Sequence, residues 1–121
     1  FRPEPPDLQK AMILQHDLDV IRDRRANPTE DSYTNYLFEK GIDKICKKVG
    51  EESAEIIIAA KNRSPVELTG EISDFLYHLM VLMAEVGVGW ESVYDALIAR
   101  QGMKSAKLPK WRAAEQKEKE Q

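Results

Sequence analysis

The chain has a single cysteine, Cys46, in 121 residues, so no internal disulfide can staple it. Set among Ile42, Ile45 and Val49, that thiol reads as a buried apolar filler, in keeping with a reducing, cytoplasmic setting. Glycine is sparse: six residues are few for the turn-rich connections of a sheet protein, and no cluster of them makes a phosphate-cradling loop. No run reaches the roughly 18–20 apolar residues of a membrane span. Even the most apolar stretch, LYHLMVLMAEVGVGW, carries His78 and Glu85. The start, at Phe1 and not at Met, has no secretory pattern and reads as that of an excised or trimmed domain. A net charge of −3 lacks the basic surplus that draws a protein to nucleic acid or an anionic membrane.

With 42% hydrophobic and 32% charged residues, the composition is that of a single all-α domain over 1–121. Its core covers about 8–102, and the tail 103–121 is polar and repetitive in charge. Asp7 is the expected N-cap of a first helix burying Leu8, Met12, Leu14, Leu18 and Ile21, ending near Pro28. A short helix over 32–40 stops at Gly41. Apolar positions Ile42, Ile45, Cys46, Val49, Ile56, Ile57 and Ala60 then recur every three or four residues, the pattern of a long helix. Ser64, Pro65 and Glu67 form a capping-box start for the next one. That helix buries Leu68, Ile72, Phe75, Leu76, Leu79, Leu82, Met83 and Val86 and ends at Gly87–Gly89. A further helix begins near Trp90, with Val93, Leu97 and Ile98 apolar.

The two long helices carry carboxylates beside their apolar stripes. At about 100° per residue, with Ile42 and Ala60 at zero, Glu52 falls near 280° and Glu55 about 60° further round, while Glu51, near 180°, points away. On the following helix, with Ile72 at zero, Glu71 lies near 260°, Asp74 near 200° and His78 near 240°. Each helix thus shows an acid pair spaced i, i+3 at a matching azimuth. A short loop makes the helices an antiparallel hairpin. Counted from Ser64, the pairs differ in height by about 3 Å, less than one turn.

Glu52, Glu55, Glu71 and Asp74 can therefore converge. Four ionised carboxylates in one small volume repel one another, and a hard divalent cation relieves this. With oxygen donors only, Mg²⁺ fits best and Mn²⁺ next. A solvated charged face is the plain alternative. A diiron site is disfavoured, because it uses Glu-x-x-His pairs and only His78 is in reach. His78 itself fits a half-buried polar residue better than a ligand. Glu51 is placed to pair with Lys47 or Lys48, or to activate water if a second chain folds over it.

The EExxE of Glu51, Glu52 and Glu55, followed by the ExxD of Glu71 and Asp74, resembles the signature of the all-α nucleotide pyrophosphatase superfamily that includes MazG and the dimeric dUTPases. The wording SYTNYLFEKGIDKICKKVGEESAEIIIAAKN with ELTGEISDFLYHLMVLMAEVGV is similar, over about residues 8–102, to the phosphoribosyl-ATP pyrophosphatase family of histidine biosynthesis. The resemblance implies Mg²⁺-dependent hydrolysis of phosphoribosyl-ATP to phosphoribosyl-AMP and pyrophosphate. It also implies a homodimer, whose helices form a four-helix-bundle-type core around each site, with Glu51, Glu52, Glu55, Glu71 and Asp74 as the catalytic set. It makes Lys48, Lys61, Asn62 and Arg63 near the hairpin, and Arg100, Lys104 and Lys107 after the last helix, candidate phosphate contacts, each weighed against plain solvated surface, and adds Ser32, Tyr33, Lys40 and His78 to the substrate-binding candidates. Phe1 and the proline-rich start suit a domain cut from a fused protein carrying the phosphoribosyl-AMP cyclohydrolase. Two readings stand beside this one: a broader MazG-like nucleoside triphosphate pyrophosphatase, and a non-catalytic helical dimerisation module whose acids decorate its surface.

Overall fold

The computed structural model describes residues 6–102 and 117–119, and all regular structure in them is helical. Five helices follow in order: α1 Pro6–Ala26, α2 Tyr33–Lys40, α3 Ile42–Lys61, α4 Pro65–Val86 and α5 Trp90–Gln101. They fall into two compact units divided between Trp90 and Glu91. The first contains α1 to α4 and Trp90. The second begins with the remainder of α5, whose Leu97 and Ile98 are exposed.

Local chemistry sets the boundaries. Asp7 is not the N-cap of α1: Pro6 already belongs to the helix, as suits a residue whose missing N–H would go unbonded there anyway. Asp7 sits in the first turn, where its charge meets the positive end of the helix dipole. Ser32 caps α2 by accepting the Asn35 N–H at 3.2 Å. Gly41, at φ 90°, donates its N–H to the Leu37 carbonyl at 3.0 Å. It turns the chain into α3 through a backbone region that side chains disfavour. Ser64 accepts the Glu67 N–H at 3.2 Å with Pro65 at the start of α4, as expected from the capping-box sequence.

The core of the first unit gathers Leu18 and Ile21 of α1, Leu37 of α2, Ile45 and Ala59 of α3, and Met80, Val81, Met83 and Ala84 of α4, with Trp90 beyond. Polar contacts tie α1 to the end of α4. Arg25 donates to the Ala84 carbonyl at 3.1 Å and pairs with Glu85 at 3.7 Å, while the Trp90 indole N–H donates to the Leu14 carbonyl at 3.1 Å.

Burial departs from the sequence expectation on one side of these helices. Cys46 is exposed, as are Leu8, Met12, Ile42, Ile57, Ile72 and Val86, and Ala60. The reason is geometric: a helical stripe wider than about 100° cannot be covered by one neighbouring helix. The hairpin buries the margin of each stripe nearest its partner and leaves the rest open. Among the described residues, no single helix is long and apolar enough to cross a membrane.

Candidate metal centre

Glu52 of α3 and Glu71 and Asp74 of α4 each bring a carboxylate oxygen to within 4.8 Å of the other two. This requires α4 to fold back along α3, because Glu52 lies about as far before the Asn62–Ser64 connection as Asp74 lies after it. Three carboxylate oxygens this close together would be able to hold one small divalent cation between them after modest side-chain adjustment. The donors are all hard carboxylate oxygens, the chemistry that suits Mg²⁺ or Mn²⁺.

The charge balance points the same way. Glu71 holds its proton more tightly than an ordinary carboxyl, first because it is partly desolvated and then because Glu55, Asp74, Glu52 and Glu67 repel its charge. Glu55 lies outside the close trio yet is the largest of these repulsive neighbours, so both expected acid pairs meet electrostatically. Glu67 enters through its position one turn before Glu71, on the same flank of α4.

One cation stands beside the acids. Lys48 Nζ lies 3.3 Å from Glu51 and 4.0 Å from Glu52. Its hydrogen bond to Glu51 raises its pKa against the opposing effect of partial burial, with Tyr33, Glu51 and Glu52 adding to the rise. Lys48 is thus held as an ammonium next to the cluster. Glu51 is not among the three close carboxylates and is paired with Lys48.

Behind Asp74, His78 is buried. Its Nδ1 lies 2.8 Å from the Asp74 main-chain carbonyl and its Nε2 lies 3.1 Å from the Tyr33 hydroxyl. A carbonyl only accepts, so Nδ1 carries the proton and the Tyr33 O–H donates to Nε2. Both ring nitrogens are therefore engaged, and His78 has no lone pair to offer a metal or substrate while these bonds stand. The Tyr33 and Tyr77 rings meet the imidazole edge-on at 5.8 and 5.0 Å. Thr34 bonds the Tyr77 hydroxyl, whose pKa is raised mainly by burial, although that bond lowers it in part.

Ser32 is the cap of α2. Lys40 lies 5.8 Å from the Tyr36 ring, in cation–π range. Lys61, Asn62 and Arg63 are exposed at the hairpin tip, roughly 14 Å along α3 from Glu52. Arg100 is in the last turn of α5, in the second unit, and Lys104 and Lys107 lie outside the described residues. Thr34, Tyr36 and Tyr77 were not anticipated. The available signal was a tyrosine in mid-helix beside an acid pair, since a half-buried phenol needs a hydrogen-bond partner.

A family model described as phosphoribosyl-ATP pyrophosphohydrolase matches residues 17–101. The histidine biosynthesis bifunctional protein HisIE of Thermoanaerobacter pseudethanolicus is 60% identical over 89 residues, which is 74% of this chain and 41% of that protein. The phosphoribosyl-ATP pyrophosphatase of Streptococcus thermophilus is 57% identical over 83 residues, 69% of this chain and 80% of the relative. That of Clostridium novyi is 48% identical over 103 residues, 85% and 94% of the two chains. The chain thus spans less than half of the bifunctional relative and most of the other two.

Proposed function

The chain belongs to the phosphoribosyl-ATP pyrophosphohydrolase family, and we propose that it hydrolyses phosphoribosyl-ATP to phosphoribosyl-AMP and pyrophosphate in histidine biosynthesis, in the cytoplasm, with Mg²⁺ as cofactor. The observation that carries this reading is the convergence of Glu52, Glu71 and Asp74 from two facing helices.

Glu52, Glu71 and Asp74 would hold Mg²⁺, with Glu55 adding negative charge beside Glu71. When bound, the cation neutralises phosphate oxygens and favours in-line attack by water at phosphorus. Lys48, kept protonated by Glu51, supplies a second positive charge for the polyphosphate and offsets part of the Glu52 charge when substrate is absent. Tyr33, whose charge is felt at Lys48, and Lys40 at the end of the same helix are candidates for the phosphoribosyl or base end. The many exposed large apolar residues, among them Met12, Ile13, Ile42, Ile57, Ile58 and Ile72, support a homodimer in which a second copy completes the bundle, since extensive exposed apolar surface marks an interface. The 41% share of the bifunctional relative is consistent with fusion or partnership with a phosphoribosyl-AMP cyclohydrolase.

The test is pyrophosphate release from a panel of nucleotides. Phosphoribosyl-ATP is expected to exceed dUTP, ATP and other ordinary triphosphates by at least about 100-fold in kcat/KM, the discrimination polar recognition can provide. Faster turnover of an ordinary triphosphate would replace this assignment with the broader MazG-like one, and no turnover of any would leave only a helical dimerisation module.

A further inference from the structure

Two successive residues of α2 grip two successive residues of α4. Tyr33 bonds His78 at 3.1 Å, and Thr34 bonds Tyr77. The cap at Ser32 fixes where α2 begins, and therefore which residues make these bonds. The grip falls one turn from Asp74, the exposed member of the acid trio. Without a cation, like charges on α3 and α4 push the two helices apart, so α4 must be held in place from another side. Of the two bonds, only the one through His78 continues to Asp74, by way of the Nδ1–H donated to its carbonyl at 2.8 Å.

We propose that Tyr33 is a positioning residue for the metal centre: its hydroxyl, acting through His78, sets the placement of Asp74 opposite Glu52 and Glu71. The Tyr33 O–H donates to Nε2 and so favours the tautomer with the proton on Nδ1, the only one able to hold the Asp74 carbonyl. The imidazole is kept in plane by the edge contacts of Tyr33 and Tyr77, and the pair of bonds ties α2 to the turn that carries Asp74. The same tyrosine adds to the rise in the Lys48 pKa, so it also stands near the cation beside the acids. This inference rests on the metal-site reading above and extends it to residues that do not themselves bind the metal.

The experiment measures Mn²⁺ affinity directly, by the electron paramagnetic resonance signal of free Mn²⁺, in wild type, Tyr33→Phe, Thr34→Val and Tyr33→Phe/His78→Leu, with a melting scan of each metal-free protein. Tyr33→Phe keeps the ring and removes the hydroxyl. It is expected to weaken Mn²⁺ binding about three- to tenfold, at or below the tenfold and greater losses seen when a group bonded to a ligand side chain is removed. Thr34→Val is expected to lower the melting temperature and leave Mn²⁺ affinity unchanged. Because Tyr33 acts through His78, His78→Leu, measured in the same way, should bind Mn²⁺ as weakly as the double variant. Equal Mn²⁺ affinity in wild type and Tyr33→Phe would overturn the positioning role while leaving the metal centre standing. So would equal weakening by Tyr33→Phe and Thr34→Val, which would mark both as general packing contacts. Absence of Mn²⁺ binding in wild type would remove the metal reading and this inference together.

Discussion

Lys48 Nζ lies 3.3 Å from the carboxylate of Glu51, and this contact separates two neighbouring acids by role. Glu51 holds the ammonium, and Glu52 faces the α4 pair. Glu51→Gln is therefore expected to keep the Mg²⁺-induced rise in melting temperature. Its kcat/KM should fall by about tenfold or less, and its stability by no more than the ~0.2–1 kcal/mol of an exposed ion pair. Melting scans with and without Mg²⁺, alongside steady-state kinetics, check both parts.

The acid trio is expected to trade stability for metal binding. Glu52→Gln or Asp74→Asn removes one repelling charge at nearly constant volume, so each metal-free variant should melt about 2–4 °C above wild type. Each should also lose the stabilisation that millimolar Mg²⁺ gives wild type, since a ligand that binds only the native state raises its stability. Differential scanning fluorimetry in EDTA and in Mg²⁺ reads both effects.

The raised pKa of Glu71 gives a pH dependence of defined sign. The folded chain holds this proton to higher pH than the unfolded chain, whose carboxyl titrates near its ordinary 4.5. The contribution to stability is therefore full below that value and is lost as pH rises through the raised folded value. In EDTA, the melting temperature of wild type should drop over this interval relative to that of Glu71→Gln. Millimolar Mg²⁺ should reduce the difference. A difference of opposite sign would mean that the neighbouring carboxylates do not repel Glu71 in solution.

The cap of α4 gives a structural control. Ser64→Ala removes the oxygen that accepts the Glu67 N–H at 3.2 Å and should cost about 1 kcal/mol, roughly 4–8 °C in melting temperature for a domain of this size. The absolute gain in stability from Mg²⁺ should be unchanged, because the hairpin tip is remote from the acids and the ligand adds a fixed free energy.

Exposed Ile57 and Ile58, at 60% and 53%, bear on the homodimer. Charging this face with Ile57→Asp and Ile58→Asp should convert a dimer into a monomer in sedimentation equilibrium, since a stable interface buries about 1,200–2,000 Å² and excludes unpaired charge from its centre. A wild-type monomer at micromolar concentration would contradict the dimer outright.

Helical spacing made part of this site legible. The azimuths of Glu52, Glu71 and Asp74 follow from 3.6 residues per turn, and the short Asn62–Ser64 link fixed their relative heights, so these three of the four expected carboxylates meet. Glu55, the fourth, stays outside the close group and is felt only through its repulsion of Glu71. Burial was not: Cys46 and Ile57 lie on an apolar stripe that marks what can be covered, while the number of neighbouring helices decides what is covered within one chain. The Tyr33–His78 bond was hidden as well. It depends on how α2 turns into α3 at Gly41, and the composition of SYTNYLFEKG does not specify that angle. His78 was expected half-buried and is buried, and the partners of its two ring nitrogens, Tyr33 and the Asp74 carbonyl, were not legible in the sequence.

The most direct measurement is Mg²⁺-dependent release of pyrophosphate from phosphoribosyl-ATP by wild type and by Glu52→Gln and Asp74→Asn, each first verified as folded by circular dichroism. Wild type should be active with Mg²⁺ and inactive in EDTA, and each variant should lose about 100-fold or more in kcat/KM, the scale of removing a group that stabilises transition-state charge. Turnover that persists in EDTA, or folded variants as active as wild type, would contradict the assignment of these carboxylates as the metal-holding machinery.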